Sequence, residues 1–216
     1  MSDNLMPASQ MSLETRVANS RFISSIAPAS SVEEAKAFIK EISQRYSDAS
    51  HNVPVYVIGF GSSVIAHASD NGEPSGTAGR PALSVLQGSG LGDTVLVITR
   101  YFGGTKLGTG GLVKAYGDSV RAIITQVPKA KKVIVHHGFL TCPYHLYEQV
   151  SRFIRKHNGV INNKQFSDYV DVHFFIPVNS FSHLENELTE LSNGHLQIQI
   201  IKENQNVLIP LVPPSS

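Results

Sequence analysis

Two glycine-rich segments carry the residue types best suited to binding or reaction. The first, residues 100–112, holds five glycines and two cations, Arg100 and Lys106, between an apolar strand pattern and a helix pattern. Because glycine permits close backbone approach, such a loop can aim N–H groups at an anion or another surface. The following helix adds partial positive charge at its first turn. The segment lacks the Gly-Lys-Ser/Thr ending of a P-loop, and Val113 stands where a dinucleotide-binding motif requires glycine.

The second segment, residues 69–80, is polar and contains two carboxylates, Asp70 and Glu73. They could act as acid and base or bind a metal, but carboxylates in a Gly/Pro turn more often cap backbone N–H groups. Thr77 could cap the helix that it precedes. A further interpretation is that Arg100, Asp70 and Glu73 form a buried network of ion pairs and caps, because such networks imitate active sites.

Histidine and cysteine give little support for metal chemistry. His51 and His67 flank the two middle strand patterns and could join Asp70 in a three-ligand site, but the chain has no His-x-x-x-His pair. Hydrogen-bonded structural histidines are therefore favoured, and we expect no metal and no cofactor. The single Cys142 excludes an intrachain disulfide and a zinc site made of cysteines.

A cationic edge is predicted in the second half of the chain. Arg152, Arg155 and Lys156 lie three and four residues apart near a helix end, with Lys164 expected close by. A nucleic-acid patch is one interpretation, and the other is a solvated helix end on which Glu148 pairs with Arg152. The formal net charge is only +1, and charges are nearly balanced in both halves, so binding of polyanions by bulk charge is not indicated.

The first half reads as a mixed α and β domain over residues 1–128. Residues 1–12 are polar and expected to be frayed. A capping box at Ser31 begins the clearest helix. The other predicted elements are strands over 13–18, 21–27, 53–60, 64–68 and 94–99, and helices over 81–86 and 109–127.

The second half reads as a separate domain over residues 133–210, after a linker over residues 129–132 where proline ends a helix and three lysines follow. Its elements alternate in the order βαββαβ, which is the ferredoxin-like arrangement of four antiparallel strands backed by two helices. The last strand is placed over residues 196–201, and residues 211–216 are expected to form a loose tail. The predicted fold class is therefore α+β with two domains.

The two glycine-rich segments strongly resemble the signature of the IMPACT family, and particularly its bacterial two-domain members. The carrying motifs are SDNGEPSGTAG at residues 69–79 and RYFGG followed by LGTGGL within residues 100–112, with SRFI at 20–23 and ASHN at 49–52. The resemblance covers essentially the whole chain. Two departures are visible: Asn71 stands where many relatives have a second aspartate, and Val53 stands where a cysteine often follows His-Asn.

The resemblance implies a first domain like domain IV of elongation factor G, with a left-handed βαβ crossover, and a second domain like that factor's ferredoxin-like domain V. It links the chain to translational control, so we expect a non-enzymatic regulator whose partner is the ribosome, RNA or a translation-related protein. The alternative is an enzyme or sensor that binds a small anion or nucleotide between the two loops.

The start of the chain lacks the pattern of a signal peptide, and no stretch approaches 18 apolar residues, so a cytoplasmic protein without a membrane partner is expected.

The residues expected to form the binding face are Asp70, Glu73, Thr77, Arg100, Tyr101, Gly103, Gly104, Lys106, Gly108, Gly110 and Gly111.

Overall fold

A computed structural model describes residues 4–210 as two compact units, the first including the chain up to Lys131 and the second running from Lys132 to Leu208. Both units combine helices with an antiparallel sheet, which confirms the predicted α+β class. None of the helices in the described part of the chain is long and apolar enough to span a membrane.

The first unit is built on a five-stranded antiparallel sheet. Its strands, with the short strand that precedes them, are β1 (Leu5–Pro7), β2 (Met11–Val17), β3 (Ser20–Pro28), β4 (His51–Ile58), β5 (Ile65–Ala68) and β6 (Thr94–Tyr101), and its helices are α1 (Val32–Arg45), α2 (Gly79–Gly88) and α3 (Gly108–Gln126). The sheet order is β2-β3-β6-β4-β5.

Helices cover both faces of this sheet, which explains the nearly continuous apolar runs of β4 and β6. On one face Phe38 and Ile42 of α1 pack among residues that include Val95 and Val97 of β6. On the other face α2 and α3 pack against residues that include Leu96 and Ile98. The Ser31 half of the predicted capping box is present, since the Ser31 hydroxyl accepts a hydrogen bond from the backbone N–H of Glu34 at 3.1 Å, whereas the Glu34 carboxylate accepts from the N–H of Ser30 at 2.7 Å. The loop at residues 100–112 therefore begins at the end of a central strand, β6, whose residues are almost all buried.

Strands β3 and β4 both run antiparallel to β6, so they are parallel to each other and α1 connects them past the strand between. This is the crossover for which the resemblance implies a left hand, and the hand stays a prediction. The expectation that residues 1–12 are frayed was wrong for β1, because Met6 is buried and its strand pairs with residues 129–131. A three-residue strand paired with a distant segment has too few residues to show a period.

The second unit confirms the predicted ferredoxin-like order. Its elements are β7 (Lys129–Cys142), which begins in the first unit, α4 (Tyr144–Lys156), β8 (Val160–Phe166), β9 (Val170–Pro177), α5 (Phe181–Ser192) and β10 (Gln199–Pro210). β10 pairs with β7, β7 with β9 and β9 with β8, which is the 4-1-3-2 order of the split βαβ arrangement. Its core alternates along the central strands, with Leu140 and Cys142 of β7 beside Val172 and Phe174 of β9.

Two boundaries differ from the sequence expectation. Residues 129–132, predicted as a linker, are the first part of β7, and residues 129–131 of this segment pair with β1. The last strand begins at Gln199 and not at residue 196. Leu196 instead packs in the core of the second unit, and its backbone N–H donates to the Ser192 hydroxyl at 2.8 Å. The predicted tail over residues 211–216 lies outside the described residues.

Candidate functional site

Asp70 closes the loop between β5 and α2 by capping backbone N–H groups. Its Oδ1 accepts from the N–H groups of Ala78 and Gly79 at 3.0 and 2.8 Å, and its Oδ2 accepts from Gly76 at 2.8 Å. Burial alone would raise the pKa of Asp70, but these three hydrogen bonds outweigh it and hold the pKa below its ordinary value. Thr77 does not cap α2 as expected, because its hydroxyl donates to the Pro74 carbonyl at 2.7 Å and Asp70 already occupies the helix start.

Replacing Asp70 with Asn is expected to lower the free energy of unfolding by about 1 kcal/mol near neutral pH, because an amide offers one acceptor oxygen where the carboxylate offers two. Since folding lowers the pKa of Asp70, its contribution is present above the ordinary pKa of 3.8 and is lost as pH falls through the folded value. Urea denaturation of both proteins at about pH 7 and about pH 3 measures this difference. If the difference in free energy of unfolding between the two proteins were the same at both pH values, the capping role of the Asp70 carboxylate would be contradicted.

Glu73 lies at the centre of a buried network that joins three distant parts of the first unit. Its Oε1 accepts from the Arg100 guanidinium at 2.6 Å and from the Tyr116 hydroxyl at 2.8 Å. The side chains of Glu73 and Arg100 are only 3% and 6% exposed. Arg100 also donates to the Ser20 hydroxyl at 3.3 Å. Burial, together with the hydrogen bond to Glu73, strongly raises the pKa of Tyr116, so this hydroxyl stays a donor. We call Glu73, Arg100 and Tyr116 the anchoring network.

Sheet register explains how the anchoring network forms. Arg100 on β6 lies directly between Phe22 on β3 and His51 on β4. The His51 ring reaches toward the same carboxylate, with its Nε2 3.8 Å from Glu73 Oε2. Tyr116 comes from α3, where its apolar neighbours at helical spacing made it look like an ordinary core residue. The sequence therefore gave no signal for this third member.

The beginning of the second loop is fixed to neighbouring turns. The Tyr101 hydroxyl donates to Asp48 at 2.7 Å, and this hydrogen bond raises the pKa of Tyr101. The backbone N–H of Phe102 donates to the Ser50 hydroxyl at 3.0 Å. A Cβ at Gly103 would lie 1.9 Å from the Asn19 carbonyl oxygen, so glycine is required there by close backbone approach.

The rest of the second loop is an exposed surface. Phe102 is 49% exposed, and Gly104, Lys106, Gly108 and Gly110 are exposed as well. Added Cβ atoms at these three glycines would meet nothing within 4 Å. Helix α3 starts here at Gly108 with no side-chain hydrogen bond at its cap. We call Phe102, Gly104, Lys106, Gly108 and Gly110 the loop face.

The structure thus separates the expected binding residues into two groups. Glu73, Thr77 and Arg100 are buried, and Asp70 is committed to three backbone groups. Tyr101, Gly103 and Gly111 are partly exposed, whereas the loop face is open to solvent. Asp70, Glu73 and Arg100 therefore form the network of ion pairs and caps that the sequence suggested. They do not line an open cleft together with Lys106.

The two histidines considered as metal ligands have other contacts. The Nδ1 atom of His51 lies 2.9 Å from the Asn71 carbonyl oxygen, and the His67 ring stacks on Tyr56 with centroids 5.1 Å apart. No three His, Cys, Asp or Glu side chains within residues 4–210 are placed to hold a metal ion.

The cationic edge of the second unit is only partly assembled. Arg155 and Lys164 line one groove, of about 320 Å³, together with Tyr147, Asn162 and Asn163. Lys156 instead donates to the Glu187 carboxylate, which lowers the pKa of Glu187. Arg152 lies over the Phe153 ring at 5.9 Å. The sequence pattern of cations did not reveal the aromatic residues and amides beside them.

Comparison with known families finds a match in each half of the chain. A family profile described as the Impact N-terminal domain matches residues 18–124. A second profile, described as a domain of unknown function (DUF1949), matches residues 140–195.

Relatives match the chain over nearly its full length. It is 36% identical over 200 residues to the IMPACT family member YigZ of Escherichia coli, covering 92% of this chain and 98% of that protein. It is 34% identical over 186 residues to the IMPACT family member YvyE of Bacillus subtilis, covering 86% and 85%. A crystal structure of a hypothetical protein, 35% identical, covers 94% of this chain and all of that chain with a TM-score of 0.62.

Proposed function

Because this chain belongs to the IMPACT family, we propose that it is a non-enzymatic binding protein or regulator associated with translation, and that the loop face contacts the ribosome or RNA. The resemblance of its two domains to those of a ribosomal elongation factor supports the association with translation. We choose the loop face because it is exposed, whereas Asp70, Glu73 and Arg100 are bonded to other groups within the first unit.

A fixed loop conformation favours binding, because little conformational entropy is then lost when a partner docks. The anchoring network and the Asp70 cap hold both loops from within. The loop face offers a partner the Phe102 ring, the Lys106 ammonium group and the start of α3. A cation, an aromatic ring and accessible backbone N–H groups are the groups that contact phosphates and bases in nucleic-acid complexes.

The alternative, a small-anion or nucleotide enzyme with its pocket between the loops, requires groups that are already engaged. The terminal nitrogens of Arg100 donate to Glu73 and Ser20, and both oxygens of Asp70 accept backbone hydrogen bonds. An anion would have to displace these contacts before Arg100 could hold it. The geometry therefore supports a binding surface better than a reaction centre.

Sedimentation with ribosomes in a salt series tests the proposal. Wild-type protein is expected to sediment with ribosomes at about 50 mM salt and much less at about 200 mM. Lys106→Ala is expected to weaken binding and to reduce the slope of log affinity against log salt by about 1, because one phosphate contact is lost. Phe102→Ala is expected to weaken binding without changing that slope.

Lys36→Ala is the matched control, because Lys36 is an exposed cation on α1, which covers the opposite face of the sheet from α3. It should sediment like the wild type. Failure of folded wild-type protein to sediment at low salt, or equal losses in the Lys36 and Lys106 variants, would refute the proposal.

A further inference from the structure

Three aromatic side chains form a row at one edge of the second unit. Phe166 of β8 packs edge-to-face on Tyr147 of α4 with centroids 5.6 Å apart, and the centroid of the Tyr144 ring lies 6.1 Å from that of Phe166. Phe166 is 52% exposed and Tyr144 53% exposed. Leaving large rings half in water sacrifices hydrophobic stabilisation, so a contiguous exposed group of them marks a contact surface.

Cations lie directly beside this row. The Lys164 ammonium nitrogen is 5.6 Å from the centroids of both Tyr147 and Phe166. Arg155 lines the adjoining groove with Lys164. Among the described residues neither cation has an ion-pair partner, whereas Lys156 on the same helix is paired with Glu187. Two uncompensated positive charges beside aromatic rings give the surface charge complementarity to a phosphate backbone.

A β-bulge adds hydrogen-bonding groups to the same groove. Ile161 pairs with Phe174 and Asn163 with His173, so Asn162 is an extra residue in β8. Bulges bend a strand and redirect its side chains. Both amides, Asn162 and Asn163, are exposed and line the groove beside Lys164. Each amide provides a donor and an acceptor, which together can bind the edge of a base.

We propose that Tyr144, Tyr147, Phe166, Arg155, Lys164, Asn162 and Asn163, here called the edge patch, bind a short single-stranded RNA segment. Bases stack on the aromatic row, the cations hold phosphates, and the amides contact base edges. Unpaired bases are required, because base faces in a duplex are stacked on each other and cannot reach side chains. The inference rests on the proposed function and adds to the loop face a second surface, which binds unpaired RNA.

Fluorescence anisotropy with a labelled single-stranded oligouridylate of about ten nucleotides tests the edge patch, with an RNA duplex of the same length as the competing probe. The full chain is expected to bind the single strand in preference to the duplex. Phe166→Ala is expected to weaken binding about tenfold, because one stacking face is lost. Lys164→Gln is expected to reduce the salt slope by about 1.

Two further variants keep the test specific. Phe166→Leu retains apolar bulk without a ring and should bind as weakly as Phe166→Ala, whereas Phe166→Tyr should bind like the wild type. Phe102→Ala, at an exposed ring in the other unit, should leave oligonucleotide binding unchanged while weakening ribosome sedimentation. That contrast separates the two proposals, because each surface then has its own variant and its own measurement.

Three results would overturn the edge patch. Failure of folded wild-type protein to bind the single strand, while it still sediments with ribosomes, would refute the edge patch and leave the proposed function unaffected. Equal RNA affinity of Phe166→Ala and the wild type would show that bases do not stack on Phe166. Full RNA affinity in Phe166→Ala combined with lost ribosome sedimentation would assign the patch to a protein partner. Binding of the single strand without ribosome sedimentation would instead retain the patch and refute the loop-face proposal.

Discussion

Replacing Glu73 with Gln lowers the free energy of unfolding by about 3 kcal/mol, because it leaves the Arg100 charge buried without a counter-charge. The expected effect is large since both side chains are almost fully excluded from water and joined at 2.6 Å. The neutral amide still offers an oxygen to the Tyr116 hydroxyl, so the loss isolates the missing charge more than a missing hydrogen bond. Urea denaturation followed by circular dichroism measures it as a shift in midpoint at unchanged slope.

A double variant and a surface control make the result interpretable. Glu73→Gln combined with Arg100→Met is expected to be more stable than Glu73→Gln alone, because removing both charges ends the cost of burying one. Glu41→Gln breaks the exposed pair with Arg45 on α1 and is expected to change stability far less. If Glu73→Gln cost no more than Glu41→Gln, the anchoring network would not hold the loops.

Replacing Gly103 with Ala destabilises the first unit by about 3 kcal/mol, because the new methyl group would overlap the turn between β2 and β3. Its Cβ would lie 1.9 Å from the carbonyl oxygen of Asn19 and 2.0 Å from its carbonyl carbon. Both atoms belong to backbone, so no side-chain rotation can relieve the overlap. Thermal and urea denaturation should both report the loss.

Gly110→Ala is the matched control in the same loop. Gly110 lies in the first turn of α3 and has open space around it, so alanine is expected to raise stability by about 0.5–1 kcal/mol through its higher helix propensity. The same methyl group would protrude from the loop face and should weaken ribosome sedimentation. Equal stability of the Gly103 and Gly110 variants would contradict the close backbone approach at Gly103.

Local periodicity was sufficient to predict most of the architecture. The βαββαβ order of the second unit followed from alternating and helical apolar patterns, and the sheet order confirms it. The strand predicted over residues 94–99 is present as β6, and its nearly continuous apolar run reflects burial on both faces. Two strand segments were missed for the same reason. Leu5–Pro7 and the start of β7 form strands because they pair with each other across a long stretch of sequence, and such pairing leaves no local pattern.

The sequence correctly favoured capping of backbone N–H groups by the carboxylates of this turn, but the cap that it assigned to Thr77 was wrong. Thr77 precedes α2 in sequence, as a helix cap should, yet Asp70 reaches the same N–H groups from eight and nine residues away. A loop can fold a distant carboxylate onto a helix start when glycines allow the close approach. At Gly79 a Cβ would lie 2.7 Å from the Ser69 carbonyl oxygen, so this approach requires glycine.

The sequence by itself determined which residues are special in this protein: two glycine-rich loops with a family signature, and a cationic helix edge. Tertiary structure alone decided which of them are buried and which are exposed to solvent. Arg100 became internal because sheet register sets it between β3 and β4, and because α3 brings Tyr116 to the same carboxylate. Lys106 is exposed a few residues later, and packing brings Phe166 and Lys164 of β8 to Tyr147 of α4. Register and packing arise from contacts between distant segments, which no local pattern of residue types contains.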